Sequence, residues 1–186
     1  MRMDAGSGTN AQELIENSSE DELARIFRQY GEVDNARRVA KAVVERRGVS
    51  PIRSAKELAE TVAAAAPRGG RREKTNPATK VFQAIRIAVN GELEGLGEFL
   101  RDAVEMLSVS GRIAVIAYHS LEDRIVKTVF RDLEKGCICP PRLPVCGCGR
   151  KASLRLPERN ALRPAMDEVL SNPSSRSARL RYAEKT

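Results

Sequence analysis

The stretch Gly111-Arg-Ile-Ala-Val-Ile-Ala-Tyr-His-Ser-Leu-Glu-Asp-Arg124 decides the fold class. Residues 112–118 form a nearly continuous apolar run, too short for most helices and rich in β-branched side chains, which predicts a buried strand. Directly after it, Leu121, Ile125, Val129 and Leu133 recur at helical spacing, so a helix with one apolar stripe begins near His119. Just upstream, residues 92–107 read as a further helix after Gly91. Helix, strand and helix in succession make an α/β fragment. In open α/β sheets ligands bind beyond the carboxyl ends of the strands, where His119 and Ser120 fall. Ser120-x-x-Asp123 also has the form of a capping box, and Glu122 and Asp123 complement the positive end of a helix, so a purely structural duty stands beside a functional one. His119 is the only histidine of the chain; capping does not require it, and it is either a site residue or a hydrogen-bonded packing residue.

Upstream of this fragment the pattern is helical. Ser19-x-x-Glu22 is a capping box followed by Leu23, Ile26, Phe27 and Tyr30 at helical spacing. A second helix over residues 34–47 collects Ala36, Val39, Ala40 and Val43 on one side, stops at Gly48 and carries a basic outer surface. A third, capped by Ser54 and Glu57, runs toward Pro67. Residues 67–76, PRGGRREKTN, offer two adjacent glycines, several positive charges and no apolar anchor, so a linker and a domain boundary are placed there. Asn76 and Pro77 then supply the cap and first-turn residue of a helix carrying Val81, Phe82, Ile85 and Val89, which is expected to open the second domain.

The last third holds the four cysteines. Cys137-x-Cys139 and Cys146-x-Cys148 flank a proline-containing turn, and four thiolates could hold a structural zinc tetrahedrally in a loop too short for a core of its own. C-x-C is tighter than the usual C-x2-C pairing, so reduced structural thiols are the competing reading. Residues 152–156 and 178–183 read as strands, joined through Arg163-Pro164, a short helix near residues 166–170 and Asn172-Pro-Ser-Ser-Arg-Ser177. One buried strand and two antiparallel ones make a thin sheet, and no convincing glycine-rich strand-to-helix loop for a nucleotide is present; Gly6-Ser7-Gly8 follows no strand.

Composition bounds the function. The chain has 186 residues, 41% of them hydrophobic, enough for a modest core, and 32 Lys+Arg against 25 Asp+Glu give a net charge of +7 that favours a polyanionic partner. With 4% aromatic residues and no tryptophan, a single-strand binder built from stacking platforms is disfavoured. There is no apolar run of membrane-spanning length and no signal-peptide pattern at the start, so a cytoplasmic location with reduced cysteines is expected.

The segments MRMD, ARIFRQYGE, ARRVAKAVVERR, NPATKVFQAIRIAVN, GRIAVIAYHSLEDRIVK and SNPSSRSARLR, in this order, resemble the S-adenosylmethionine-dependent 16S rRNA cytosine N4-methyltransferases, the RsmH or MraW family. The resemblance implies an α/β fold, the C-terminal part of a class I (Rossmann-like) methyltransferase domain plus a helical insertion domain. Residues 1–75 would be the insertion, and 76–186 the methyltransferase part with the cysteine loop at 137–148. In that family the MRMD segment is internal and follows the cofactor-binding strands and loop. This chain is therefore expected to lack cofactor-binding residues, to be truncated and to be inactive alone. It also implies a reaction on the exocyclic N4 of a decoding-centre cytosine, with 16S rRNA or the small ribosomal subunit as partner and S-adenosylmethionine as methyl donor. His119, Ser120, Glu122 and Asp123 would then line the substrate side, with His119 or Asp123 assisting proton removal. Arg71, Arg72, Lys74, Arg124, Arg176 and Arg179 are the RNA-contact candidates, as are Arg68 and Arg181; Arg124 could equally pair with an acidic neighbour. Where the family commonly has a histidine this chain has Asn76. A non-catalytic rRNA-binding module or an inactive remnant are the alternatives, and the oligomeric state is not legible.

Overall fold

The computed structural model describes residues 1, 8–65, 77–140 and 145–186. The expectations attached to Gly6, Ser7, Arg68, Arg71, Arg72, Lys74, Asn76 and the linker lie outside these residues. The chain is α/β: the described residues hold eight α-helices and one three-stranded sheet, in two compact units, Met1–Glu92 and Leu93–Thr186.

The first unit is helical: α1 (Ala11–Asn17), α2 (Glu20–Gly31), α3 (Ala36–Val49), α4 (Ala55–Ala65) and α5 (Pro77–Asn90). Among the described residues, three of them start on side-chain caps. Ser19 Oγ accepts the Glu22 N–H at 3.2 Å while Glu22 accepts the Ser19 N–H at 2.7 Å, and Ser54 and Glu57 repeat the arrangement. Helix α1, absent from the sequence reading, has the same device in Asn10 and Glu13. Helix α3 continues through Gly48, which has open space around it, rather than stopping there.

The buried side chains Leu23, Phe27, Val39, Val43, Val62, Val81 and Ile85 form one core, each contributing about 1.5–3 kcal/mol on full burial where the side chain is a valine, leucine, isoleucine or phenylalanine. Helix α5, expected to open the second domain, contributes Ala78, Val81, Ala84 and Ile85 to this core and so belongs to the helical unit. The division falls after Glu92 rather than near residue 75 because the stripe of α5 matches that of α2. Contact is close at Gly31, where a Cβ would lie 2.7 Å from the Lys80 carbonyl oxygen and 3.2 Å from Ala84 Cβ. Gly31→Ala should therefore cost about 1–3 kcal/mol by overpacking, read from the urea midpoint of the helical unit. An unchanged midpoint would mean that α2 and α5 do not approach so closely.

The second unit contains α6 (Leu96–Met106), β1 (Arg112–Ala117), α7 (Ser120–Lys135), β2 (Leu154–Arg155), α8 (Met166–Ser171), a 3-10 turn (Pro173–Ser177) and β3 (Arg179–Lys185). Helix α6 begins later than expected because Gly91 and Gly95 take positive φ angles of 59° and 69° in the turns before it. The sheet order is β1-β3-β2 with both pairings antiparallel, and the register sets Ala117 opposite Arg179, Val115 opposite Arg181 and Ile113 opposite Ala183. Alternation puts those six residues on one face. There Ile113, Val115 and Ala183 meet Leu100 and Val104 of α6, Val126, Val129 and Phe130 of α7, and Leu154.

Expected to be buried, β1 is covered on one face only. Arg112, Ala114 and Ile116 are exposed, Ile116 to 57%. The reason is that, among the described residues, the core of this unit collects α6 and α7 on a single side of the sheet. On the outer face Glu184 accepts from Arg112 at 3.2 Å and from Arg155 at 2.8 Å, tying all three strands together. Among the described residues no helix is long and apolar enough to cross a membrane.

Candidate functional site

At the carboxyl end of β1 the chain turns through Tyr118 and His119 into α7. The capping box here is shifted by one residue from the expected Ser120 and Asp123. His119 is the N-cap, its Nδ1 accepting the Glu122 N–H at 3.3 Å, and Glu122 Oε2 accepts the N–H groups of Tyr118 at 2.9 Å and His119 at 3.3 Å. An imidazole that accepts through Nδ1 carries its proton on Nε2 when neutral. That nitrogen lies 3.4 Å from Glu122 Oε1, and the His119 side chain is 8% exposed. Capping, which the residue type did not suggest, is thus a duty of the single histidine. Ser120 occupies the first helical position and is half-buried.

Asp123, one residue further, is buried beneath the helix and faces the arginines of β3. Arg181 donates to it through Nε at 2.6 Å and Nη2 at 3.3 Å, and Arg179 through Nη1 at 3.0 Å. Positions 179 and 181 both reach it because they share the inner face of the strand. Burial alone would raise the carboxyl pKa, but the hydrogen bonds from Arg181 and Arg179 outweigh it and hold Asp123 below the ordinary aspartate range. A carboxylate so committed is a poor proton acceptor at neutral pH, which favours His119 over Asp123 as the residue assisting proton removal. Arg181, expected to guide RNA, has a side chain only 12% exposed, and a third hydrogen bond at 3.1 Å to the Arg159 carbonyl fixes it further. Arg179 is partly exposed, whereas Arg124 and Arg176 are exposed. A cleft beside Arg181, lined by Lys127, Phe130, Leu156 and Tyr182 among others, encloses about 10 Å³, room for one water and not for a base.

The cysteine loop forms the second cluster. Sγ separations are 3.5 Å for Cys137 and Cys146, 3.9 Å for Cys139 and Cys146, 3.5 Å for Cys146 and Cys148, and 3.7 Å for Cys148 and Cys137. Backbone N–H groups of Arg150 and Ile138 pull the Cys148 thiol down to about 6. The Cys139 N–H draws Cys137 the same way, but the sulfurs of Cys146 and Cys148 outweigh it and push that thiol up to about 11. Sequence spacing identified all four cysteines.

An α/β unit with a polar strand end and a four-thiol loop is a broad class. The sequence profile of the MraW methylase family matches residues 1–186, and the chain belongs to that family. Among curated relatives, three proteins named Ribosomal RNA small subunit methyltransferase H are similar to it. That of Syntrophus aciditrophicus (strain SB) is 48% identical over 185 residues, covering 100% of this chain and 59% of the relative. That of Thermomicrobium roseum is 50% identical over 185 residues, covering 100% and 56%. For Brevibacillus brevis the identity is 44% over 185 residues, with 100% and 59% covered. The chain thus spans 56–59% of the length of these relatives.

Proposed function

We propose that this chain acts in S-adenosylmethionine-dependent methylation of the exocyclic N4 of a decoding-centre cytosine in 16S rRNA, forming the substrate side of the site. The observation that carries this reading is the family match over the whole chain, joined to relatives named for modifying small-subunit ribosomal RNA. The helical unit corresponds to the insertion domain and the α/β unit to the C-terminal part of a class I methyltransferase domain. Small-subunit RNA is the partner, and the cytoplasm the place of action.

Among the described residues β1 is followed by Tyr118 and His119 and β2 by Leu156 and Pro157, with no glycine-rich turn that would admit a nucleotide. Those strand ends do not fit S-adenosylmethionine. The acceptor amine is a weak nucleophile because its lone pair is delocalised into the ring, so the task of the substrate side is to hold an extruded base in line for transfer. His119 and Ser120 at the end of β1 face that task. Glu122 holds the turn through its backbone bonds, and Asp123 is a positioning residue that fixes α7 to β3. Arg124, Arg176 and Arg179 are the phosphate contacts. A second reading, a module that binds rRNA without chemistry, is favoured by the net charge of +7.

The test is binding of small-subunit RNA to the chain as salt is varied, alongside titration with S-adenosylmethionine and nucleoside mass spectrometry of the RNA. Affinity should fall steeply with salt, and Arg124→Glu with Arg176→Glu should lower the log–log salt slope by about 2. Absence of RNA binding at low salt would sink the substrate-side reading. N4-methylcytosine produced by the chain alone would instead place a donor site within it. If pairing the chain with the remaining part of a relative never yields that nucleoside, the binding module is left.

A further inference from the structure

We propose that Cys137, Cys139, Cys146 and Cys148 form a structural Zn²⁺ site that closes the loop between α7 and β2. All four Sγ atoms lie within 4.8 Å of one another, and four of the separations fall between 3.5 and 3.9 Å. Zinc bound to four thiolates at about 2.3 Å places the sulfurs about 3.8 Å apart by tetrahedral geometry. The separations are far longer than the roughly 2.05 Å of a disulfide. Nor do four thiols converge so closely for their own sake, since S–H is a weak donor and gains little from meeting three others.

The surroundings match a metal–thiolate centre. The Cys139 N–H is directed at the Cys137 sulfur, and the N–H groups of Arg150 and Ile138 at that of Cys148. Such bonds orient and stabilise bound thiolates. Zinc displaces the thiol protons, at most four per ion, and leaves a centre of net charge −2 that Lys135, Arg150 and Lys151 flank in sequence.

Among the described residues of the loop, no apolar side chain joins a core. Ile138 is 65% and Val145 78% exposed, and neither hydrophobic core includes a residue between 137 and 150. Its neck is fixed where Gly136 passes the backbone of Lys151 and Ala152 and where the Ser153 N–H donates to the Leu133 carbonyl at 2.9 Å. A cross-link at the cysteines completes the closure. Four protein sulfurs leave no open position for a substrate, so the role is structural, and soft ligands exclude magnesium and calcium.

Metal analysis of the 186-residue chain, purified without chelator, tests the assignment. One zinc per chain is expected, with X-ray absorption reporting four sulfurs at about 2.3 Å. Chelation should speed modification of the thiols by Ellman's reagent several-fold, and added Zn²⁺ should restore their protection. Cys146→Ser and Cys148→Ser should lose the metal; where either variant misfolds, the chelation and re-addition cycle on the native chain decides the matter. Zinc-free protein with four freely reactive thiols overturns the proposal, as does a stoichiometric iron centre or a shell containing oxygen or nitrogen.

Discussion

Replacing Asp123 by alanine is expected to destabilise the α/β unit by about 3–5 kcal/mol, because it leaves buried guanidinium charge without its counter-ion. The Arg181 side chain is 12% exposed, and two of its nitrogens bond the Asp123 carboxylate. Denaturant unfolding monitored within this unit checks the value. Asp123→Ala combined with Arg181→Met should recover much of the loss, since removing both charges removes the uncompensated one. If the double variant is no more stable than the single, the pair is not the source of the effect. The pH dependence has a definite sign. The folded pKa of Asp123 lies below its ordinary value of about 3.9. The contribution is therefore fully present above the unfolded value and is lost as pH falls through the depressed folded one. Asp123→Ala should accordingly flatten the acid limb of the stability profile and leave neutral pH insensitive.

The second large effect is at Gly136. Its φ of +65° disfavours any side chain, and a Cβ there would lie 2.5 Å from the Ala152 nitrogen and the Lys151 carbonyl carbon. Both groups are backbone, so no rotamer change relieves the clash. Gly136→Ala should cost about 2–4 kcal/mol, combining conformational strain with overpacking. Gly147→Ala is the control, because that glycine has nothing within 4 Å and no positive φ. Equal thermal midpoints for the two variants would mean that the neck of the loop is looser than described.

Much of this architecture was legible because its signals are local. Ser19 with Glu22 and Ser54 with Glu57 announce helix starts, the stripe from Leu121 to Leu133 announces α7, and the C-x-C pairs announce a thiol cluster. What escaped depends on contacts distant in sequence. Read by alternation, β3 would turn Leu180 and Tyr182 inward and its arginines to solvent. The register does the opposite, because Asp123, 58 residues away from Arg181, makes the inner face a place for charge. His119 escaped differently: histidine is an uncommon N-cap, so Ser120 drew the capping assignment by residue type. That α5 packs with α2 was not legible, because its own pattern says only that it has an apolar side. Its partner is fixed by the fit at Gly31.

The sheet order has a consequence for the sequence of events in folding. The central strand, β3, comes after both strands it joins, and β1 and β2 do not pair with each other. Arg112 must wait for Glu184, 72 residues later, and Asp123 for Arg179 and Arg181. Among the described residues, the ladder of β1 and the counter-ions of Asp123 are supplied only when β3 has been made. The β1–β3 ladder and the ion pairs of Asp123 thus depend on the same late residues, and closing them bears the loop-closure entropy of the segment between.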